Sequence, residues 1–139
     1  MTSSKPWTFV LLGMFLCCMI GCSGNVQVNG KVVFSDDGSP LDVGMILFES
    51  GDTVSRGTIN GDGTFNMGFE KQNDGMPPGT YNVSISNAVR AEGDMRAPQI
   101  IPLVATKFSS GSTSGITITV DRSLELPLEI KVDRFGTGN

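Results

Sequence analysis

A chain of 139 residues has room for one globular domain with short appendages and leaves no length for a second catalytic domain. It contains no His, which removes His-ligated metal sites and every catalytic pair in which an imidazole takes the nucleophile's proton. The formal charge is −4, and 18 Gly and 7 Pro beside a single Trp and a single Tyr point to many tight turns around a core of aliphatic residues and Phe.

The N-terminus reads as a targeting segment. Residues 1–5 are short and polar with one positive charge at Lys5, and Trp7 to Ile20 form an apolar run that is short for crossing a bilayer but suits the central region of a signal peptide. The run ends in Met19-Ile20-Gly21-Cys22, followed by Ser23, Gly24 and Asn25. These residues resemble the lipobox of a bacterial lipoprotein signal peptide. The resemblance implies a diacylglycerol thioether on Cys22, cleavage before it, and usually acylation of the new amine. An ordinary secretory signal or an uncleaved anchor helix are the alternatives. Two or three acyl chains hold a protein to a bilayer firmly, at about 0.8 kcal/mol per buried methylene. Cys17 and Cys18 would leave with the signal peptide and Cys22 would be capped, so the mature domain is expected to carry neither a free thiol nor a disulfide. Without residues 1–21 the side chains carry 9 basic groups against 14 acidic ones, a charge of −5, and no Lys/Arg cluster suited to nucleic acid. The expected organisation is a signal peptide over 1–21, a lipidated linker over 22–25, a domain over 26–135 and a tail over 136–139. Ser23 after the Cys, rather than Asp, favours the outer membrane over the inner one by resemblance to Gram-negative sorting.

Beyond residue 25 the dominant pattern is alternation with period two, and no long segment carries a 3.6-residue period. The first predicted strand, 26–34, places Val26, Val28, Val32 and Phe34 on one face, with Gly30 where a bulky neighbour approaches the backbone. Ser35 to Pro40 is turn chemistry. A second strand over 45–50 turns Ile46 and Phe48 inward. Strands over 54–59 and 64–69 are joined by Asn60-Gly61-Asp62-Gly63, a sequence that suits a hairpin turn. Met76-Pro77-Pro78-Gly79 leads into a strand over 80–87 whose Tyr81, Val83 and Ile85 share a face. Residues 88–114 show no sustained period. Strands over 115–120 and 124–133 close the chain, the last with Leu124, Leu126, Leu128, Ile130 and Val132 inward and an edge at Pro127. The expected fold is all-β, a seven-stranded antiparallel two-sheet sandwich.

Gly30-Lys31-Val32, Asp62-Gly63-Thr64-Phe65 and Pro77-Pro78-Gly79-Thr80-Tyr81-Asn82-Val83, with Ile101-Pro102, Lys107-Phe108 and Thr113-Ser114-Gly115-Ile116, resemble the carboxypeptidase regulatory-like, transthyretin-like sandwich domains. Such domains are abundant in small lipoproteins of planctomycete-type bacteria. The resemblance implies a seven-stranded, non-catalytic accessory or adhesive module.

Among candidate sites, Asp36, Asp37, Asp42, Asp62 and Asp74 are hard-cation ligands in type, but their spacing fits no EF-hand loop and Asp beside Gly is ordinary turn chemistry. A carboxylate pair for glycoside hydrolysis is disfavoured by the short chain and few aromatics. Ser109 to Ser114 reads as a flexible connector, with no base to activate a Ser. Tyr81 is expected to bury its ring and to give its hydroxyl to a backbone partner, and Phe65 and Gly79 are expected to be structural. Within 88–114, Arg90, Glu92, Asp94 and Arg96 form a candidate contact loop, while Pro98 to Val104 would pin the crossover between sheets with apolar anchors. No cofactor is implied. The expected function is a lipid-anchored, non-catalytic module of the cell envelope, held to the membrane through Cys22 and serving protein interaction or envelope structure. The alternative is a carbohydrate-binding or transport-accessory lipoprotein, which would show an exposed aromatic platform.

Overall fold

The alternation of Val28, Val32 and Phe34 is that of a half-buried strand, and the computed structural model, which describes residues 24–137, forms β1 over Asn29–Phe34. The predicted signal peptide and Cys22 lie outside the described residues. The chain continues through β2 (Met45–Ser50), β3 (Thr53–Thr58), β4 (Thr64–Asn66), β5 (Gly79–Ser86), β6 (Val89–Glu92) and β7 (Gln99–Pro102). A 3-10 turn over Thr106–Ser109 and a one-turn helix α1 (Gly111–Ser114) follow, then β8 (Thr117–Val120) and β9 (Leu128–Val132).

The protein is all-β. One sheet has the order β4-β1-β9 and the other β3-β2-β5-β8, while β6 and β7 pair only with each other. Val32, Phe65 and Ile130 from the first sheet meet Ile46, Phe48, Tyr81 and Val83 from the second in one buried cluster, which gives the body a sandwich-like character. Nine strands are present among the described residues where seven were expected, and they are not all antiparallel. β9 runs parallel to β1, pairing Gly30 with Leu128 through to Phe34 with Val132, because the chain crosses from β8 in the other sheet before returning.

The turn over 60–63 forms with the expected chemistry, but the strands around it do not make a hairpin ladder. Asn60 N donates to Thr64 O at 2.9 Å, and Arg56 and Gly68 exchange two backbone bonds of 2.8 Å, yet between these points β3 pairs with β2 and β4 pairs with β1. The turn is a corner between sheets. Gly63, at φ 82°, allows it: a Cβ there would stand 2.7 Å from Val32 O and 2.8 Å from Pro40 Cβ. Val26 falls outside β1 and forms a separate bridge with Met76. Leu126, expected inward, is 40% exposed, because β9 starts only after Pro127, which has no N–H for a ladder.

Residues 88–114 are not a loose connector. They hold β6, β7 and both short helical turns, and the Ser/Gly/Thr tract is ordered. The Ser110 side chain accepts from Ser112 N, Thr113 Oγ1 donates to Lys107 O at 2.6 Å, and Gly111 and Ser114 are buried. Gly111 packs so closely against Asn82 of β5 that a Cβ would come within 3.0 Å of its Cβ.

The sheets give the body two distinct ends. β1 and β9 start together, and the Val26–Met76 bridge places the start of β5 at that same end. There the chain emerges at Asn25 beside Asp74 and Met76, and the loop 121–127 closes the sandwich. Phe34, Val132 and Ser86 finish at the opposite end, from which β6 and β7 depart.

Candidate interaction surface

Asn87, with φ 54°, turns the chain out of β5, and β6 leaves the sandwich as one arm of a projecting hairpin. Its register pairs Val89 with Pro102, Arg90 with Ile101, Ala91 with Ile100 and Glu92 with Gln99. Successive side chains of a strand point to opposite faces. One face therefore carries Val89, Ala91, Ile100 and Pro102, all apolar, and the other carries Arg90, Glu92, Gln99 and Ile101. Residues 89–100 are all exposed. Val89 keeps 41% of its surface, Ile100 61%, and Met95 at the tip 98%. Beneath the hairpin a groove of about 320 Å³ runs between Val89, Pro102, Ala105, Phe108 and Phe135, the last 51% exposed, so the apolar face continues onto the body.

The base of the hairpin is fastened on both sides. Leu103 N donates to Ala88 O at 2.9 Å and Phe135 N to Leu103 O at 3.0 Å, while Arg90 Nη2 donates to both carboxylate oxygens of Asp42 at 2.8 and 3.1 Å. The tip is a turn closed by Asp94, whose carbonyl accepts from Ala97 N and whose carboxylate accepts from Arg96 N, both at 3.0 Å. The four predicted contact residues thus lie on one hairpin but do not converge: Arg90 and Glu92 share the polar face of β6, Arg90 is paired, and Asp94 shapes the turn. Of the expected apolar anchors, Val104 is buried but Ile100 is not, and Phe108 beyond them is buried too. The apolar face is the feature that the charged residues concealed. Its sequence signal is the alternation of Val89 and Ala91 and of Ile100 and Pro102 across a stretch of turn residues.

Beside the hairpin base, Arg134 holds the turn after β1. Its Nε donates to Asp36 at 2.8 Å, and its Nη2 donates to Asp37 at 3.0 Å and to Ser39 Oγ at 2.7 Å. Its guanidinium lies 3.8 Å from the Phe34 ring centroid. Hydrogen bonds from the Ser39 hydroxyl and N–H, aided by Arg134, pull the Asp37 carboxyl down to about 2. Lys107 Nζ meets Asp133 at 2.5 Å, and that bond, with one from Ser35, holds the Asp133 carboxyl below its ordinary range. Asp62 and Asp121 are lowered by the hydroxyls and N–H groups of Thr64 and Ser123, and Asp74 by the N–H groups of Phe69, Lys71 and Glu70. Each of these carboxylates, and Asp42 through Arg90, is thus engaged in a turn or an ion pair.

Of the expected structural residues, Tyr81 and Phe65 sit in the core and Gly79 is half-buried beside it. The Tyr81 ring is 2% exposed, meets Phe48 edge-on at 6.2 Å between centroids, and its hydroxyl donates to Pro77 O at 2.7 Å. Phe65 lies over Gly30, where a Cβ would come within 2.7 Å of the ring. Gly79 has no positive φ. It lies under the Tyr81 ring, which a Cβ would reach at 3.4 Å.

Comparison with protein-family models, with curated proteins and with solved structures finds no match to this chain.

Proposed function

We propose that this protein is a lipid-anchored, non-catalytic module of the cell envelope, acylated at Cys22, that contacts another envelope protein through the β6–β7 hairpin. The observation that carries this reading is the exposed apolar face of Val89, Ala91 and Ile100, which continues through half-buried Pro102 to Phe135. A projecting patch of this kind on a charged body marks a contact site rather than a core. The lipobox-like Met19-Ile20-Gly21-Cys22 supports the anchor, with the outer membrane as its destination, and the sequence resemblance to carboxypeptidase regulatory-like domains supports an accessory module. A glycan platform would need neighbouring exposed aromatic faces. Phe69 and Phe135, the exposed aromatics among the described residues, line separate grooves, Phe69 with Met45 and Thr58 and Phe135 with Val89 and Phe108, and form no shared platform, which favours a protein partner.

The test is a photo-crosslinker at Met95, placed in the acylated protein within its own envelope, in parent and Ile100→Asp backgrounds. A discrete crosslinked protein in the parent that disappears with Ile100→Asp is the expected result. An identical crosslinking pattern in both, with both folded, would refute the hairpin as the contact. Cys22→Ala tests the anchor separately: it should remove acyl mass and membrane partitioning together.

A further inference from the structure

We propose, resting on the lipid-anchor reading, that the end of the sandwich carrying Asn25, Met76 and Leu126 lies against the lipid surface and that the β6–β7 hairpin is held away from it. The argument begins with the point where the chain enters the body. Val26 and Met76 exchange backbone bonds of 2.7 and 2.9 Å, and Asn25 Nδ2 donates to Asp74 O at 3.3 Å. Asp74 is itself fixed, because its carboxylate accepts the N–H groups of Phe69, Glu70 and Lys71 at 2.7 to 3.2 Å. The body therefore starts at Val26 without slack, and only Ser23, Gly24 and Asn25 separate that residue from Cys22.

Fully extended, the four steps from Cys22 to Val26 reach about 14 Å. A domain of this length has a radius of gyration of about 13 Å and is thus more than twice that reach from end to end. With the acyl chains in the bilayer, the tether is too short for the body to turn over and bring its far end to the lipid. The strand directions then decide what faces where. The end where β1, β5 and β9 begin is next to the anchor, and the hairpin departs from the end where they finish.

The surface of the near end agrees with contact imposed by the tether rather than by attraction. Leu126 is 40% exposed there, beside Asn29 and Gly30 at the start of β1. The surrounding segments carry Asp74, Asp121 and Glu125 against Arg122, which offers no net attraction to anionic headgroups.

The chain's one Trp is Trp7, which the signal-peptide reading removes, so a Trp introduced into the mature protein reports alone. Acylated protein carrying Leu126→Trp or Met95→Trp is reconstituted in phosphatidylethanolamine/phosphatidylglycerol vesicles containing a lipid with a nitroxide on its headgroup. Leu126→Trp should lose most of its emission and Met95→Trp none. Intact mass of the same samples separates the two readings. An unacylated protein overturns the anchor and the orientation together. An acylated protein in which Met95→Trp is quenched as strongly as Leu126→Trp, or in which no reporter is quenched, overturns the orientation alone. A further variant carries an insertion of about 20 Gly/Ser residues after Asn25, enough for a tether of about 25 Å r.m.s.. It should relieve the quenching of Leu126→Trp. Undiminished quenching would show that the near end binds lipid by itself and would refute the tether as the cause.

Discussion

Truncating Tyr81 in two steps separates what its hydroxyl does from what its ring does. Tyr81→Phe keeps the buried ring and its edge contact with Phe48 but removes the donor to Pro77 O at 2.7 Å, a bond that fixes the entry into β5. Losing that bond and leaving a carbonyl short of a partner costs about 1–2 kcal/mol. Tyr81→Ala also empties the space of a ring only 2% exposed, and large aromatic truncations of this kind cost about 3–5 kcal/mol. In a domain of this size 1 kcal/mol moves the thermal midpoint by about 4 °C, so the midpoint should fall by about 4–8 °C in the first variant and about 12–20 °C in the second. Far-UV circular dichroism is the readout, since Tyr81 is the only Tyr and its fluorescence is lost with it. The phenol adds a pH signature. Burial raises its pKa above the ordinary 10.0, so the unfolded chain gives up the proton first. The contribution is fully present below pH 10 and is lost as pH rises beyond it. Tyr81→Phe should lack that alkaline decline. Equal midpoints for Tyr81→Phe and the parent, with the same decline above pH 10, would refute the hydroxyl's role at the strand entry.

Two other perturbations test the frame around the hairpin. Gly30→Ala places a Cβ where Leu128 O and the Phe65 ring already stand, so β1 can no longer pair closely with β9. A loss of about 2 kcal/mol or more in urea unfolding is expected, and an unchanged midpoint would mean that the sheet order is wrong. Asp37 has a folded pKa of about 2, below the ordinary 3.8, so its contribution is present above about pH 4 and is lost as the pH falls toward 2. Asp37→Asn should flatten the acid limb of a stability profile over that interval, and a limb as steep as the parent's would show that the Ser39 and Arg134 contacts do not persist in solution.

What could be read from the sequence depended on how many side chains an element has to display its period. β1, β2 and β5 have six to eight residues and bury one face, so Val32 and Phe34, Ile46 and Phe48, and Tyr81, Val83 and Ile85 announce them. Val33 breaks the alternation, being 6% exposed on the outer side, because Pro40 folds back to bridge with it. β6 and β7 have four residues each and α1 has four, too few to establish a period of 2 or of 3.6. The partner of β4 was hidden for a different reason. Asn60-Gly61-Asp62-Gly63 supplies the same turn whether the next strand stays in the sheet or crosses to the other one, and that choice rests on Phe65 seating over Gly30, a contact between residues far apart in the chain.

The proposed contact surface was half legible for a related reason. Charge is visible in a sequence, so Arg90, Glu92, Asp94 and Arg96 attract attention, whereas exposure is not, so Val89 and Ile100 pass for core. The structure reverses their weight: Arg90 is paired with Asp42 and Asp94 closes a turn, while the apolar residues are left uncovered. An isolated two-stranded hairpin is marginal in water, and this one survives through its base, where Ala88–Leu103, Val104–Arg134 and Arg90–Asp42 fasten it to the body. Beyond those fastenings Val89, Ala91 and Ile100 stay exposed, Ile100 at 61%. A chain selected only for a stable sandwich gains nothing from such an arm, because its apolar residues stay in water and its strand edges invite unwanted pairing. Fastening the base while leaving the face open makes physical sense when a second protein supplies the missing cover.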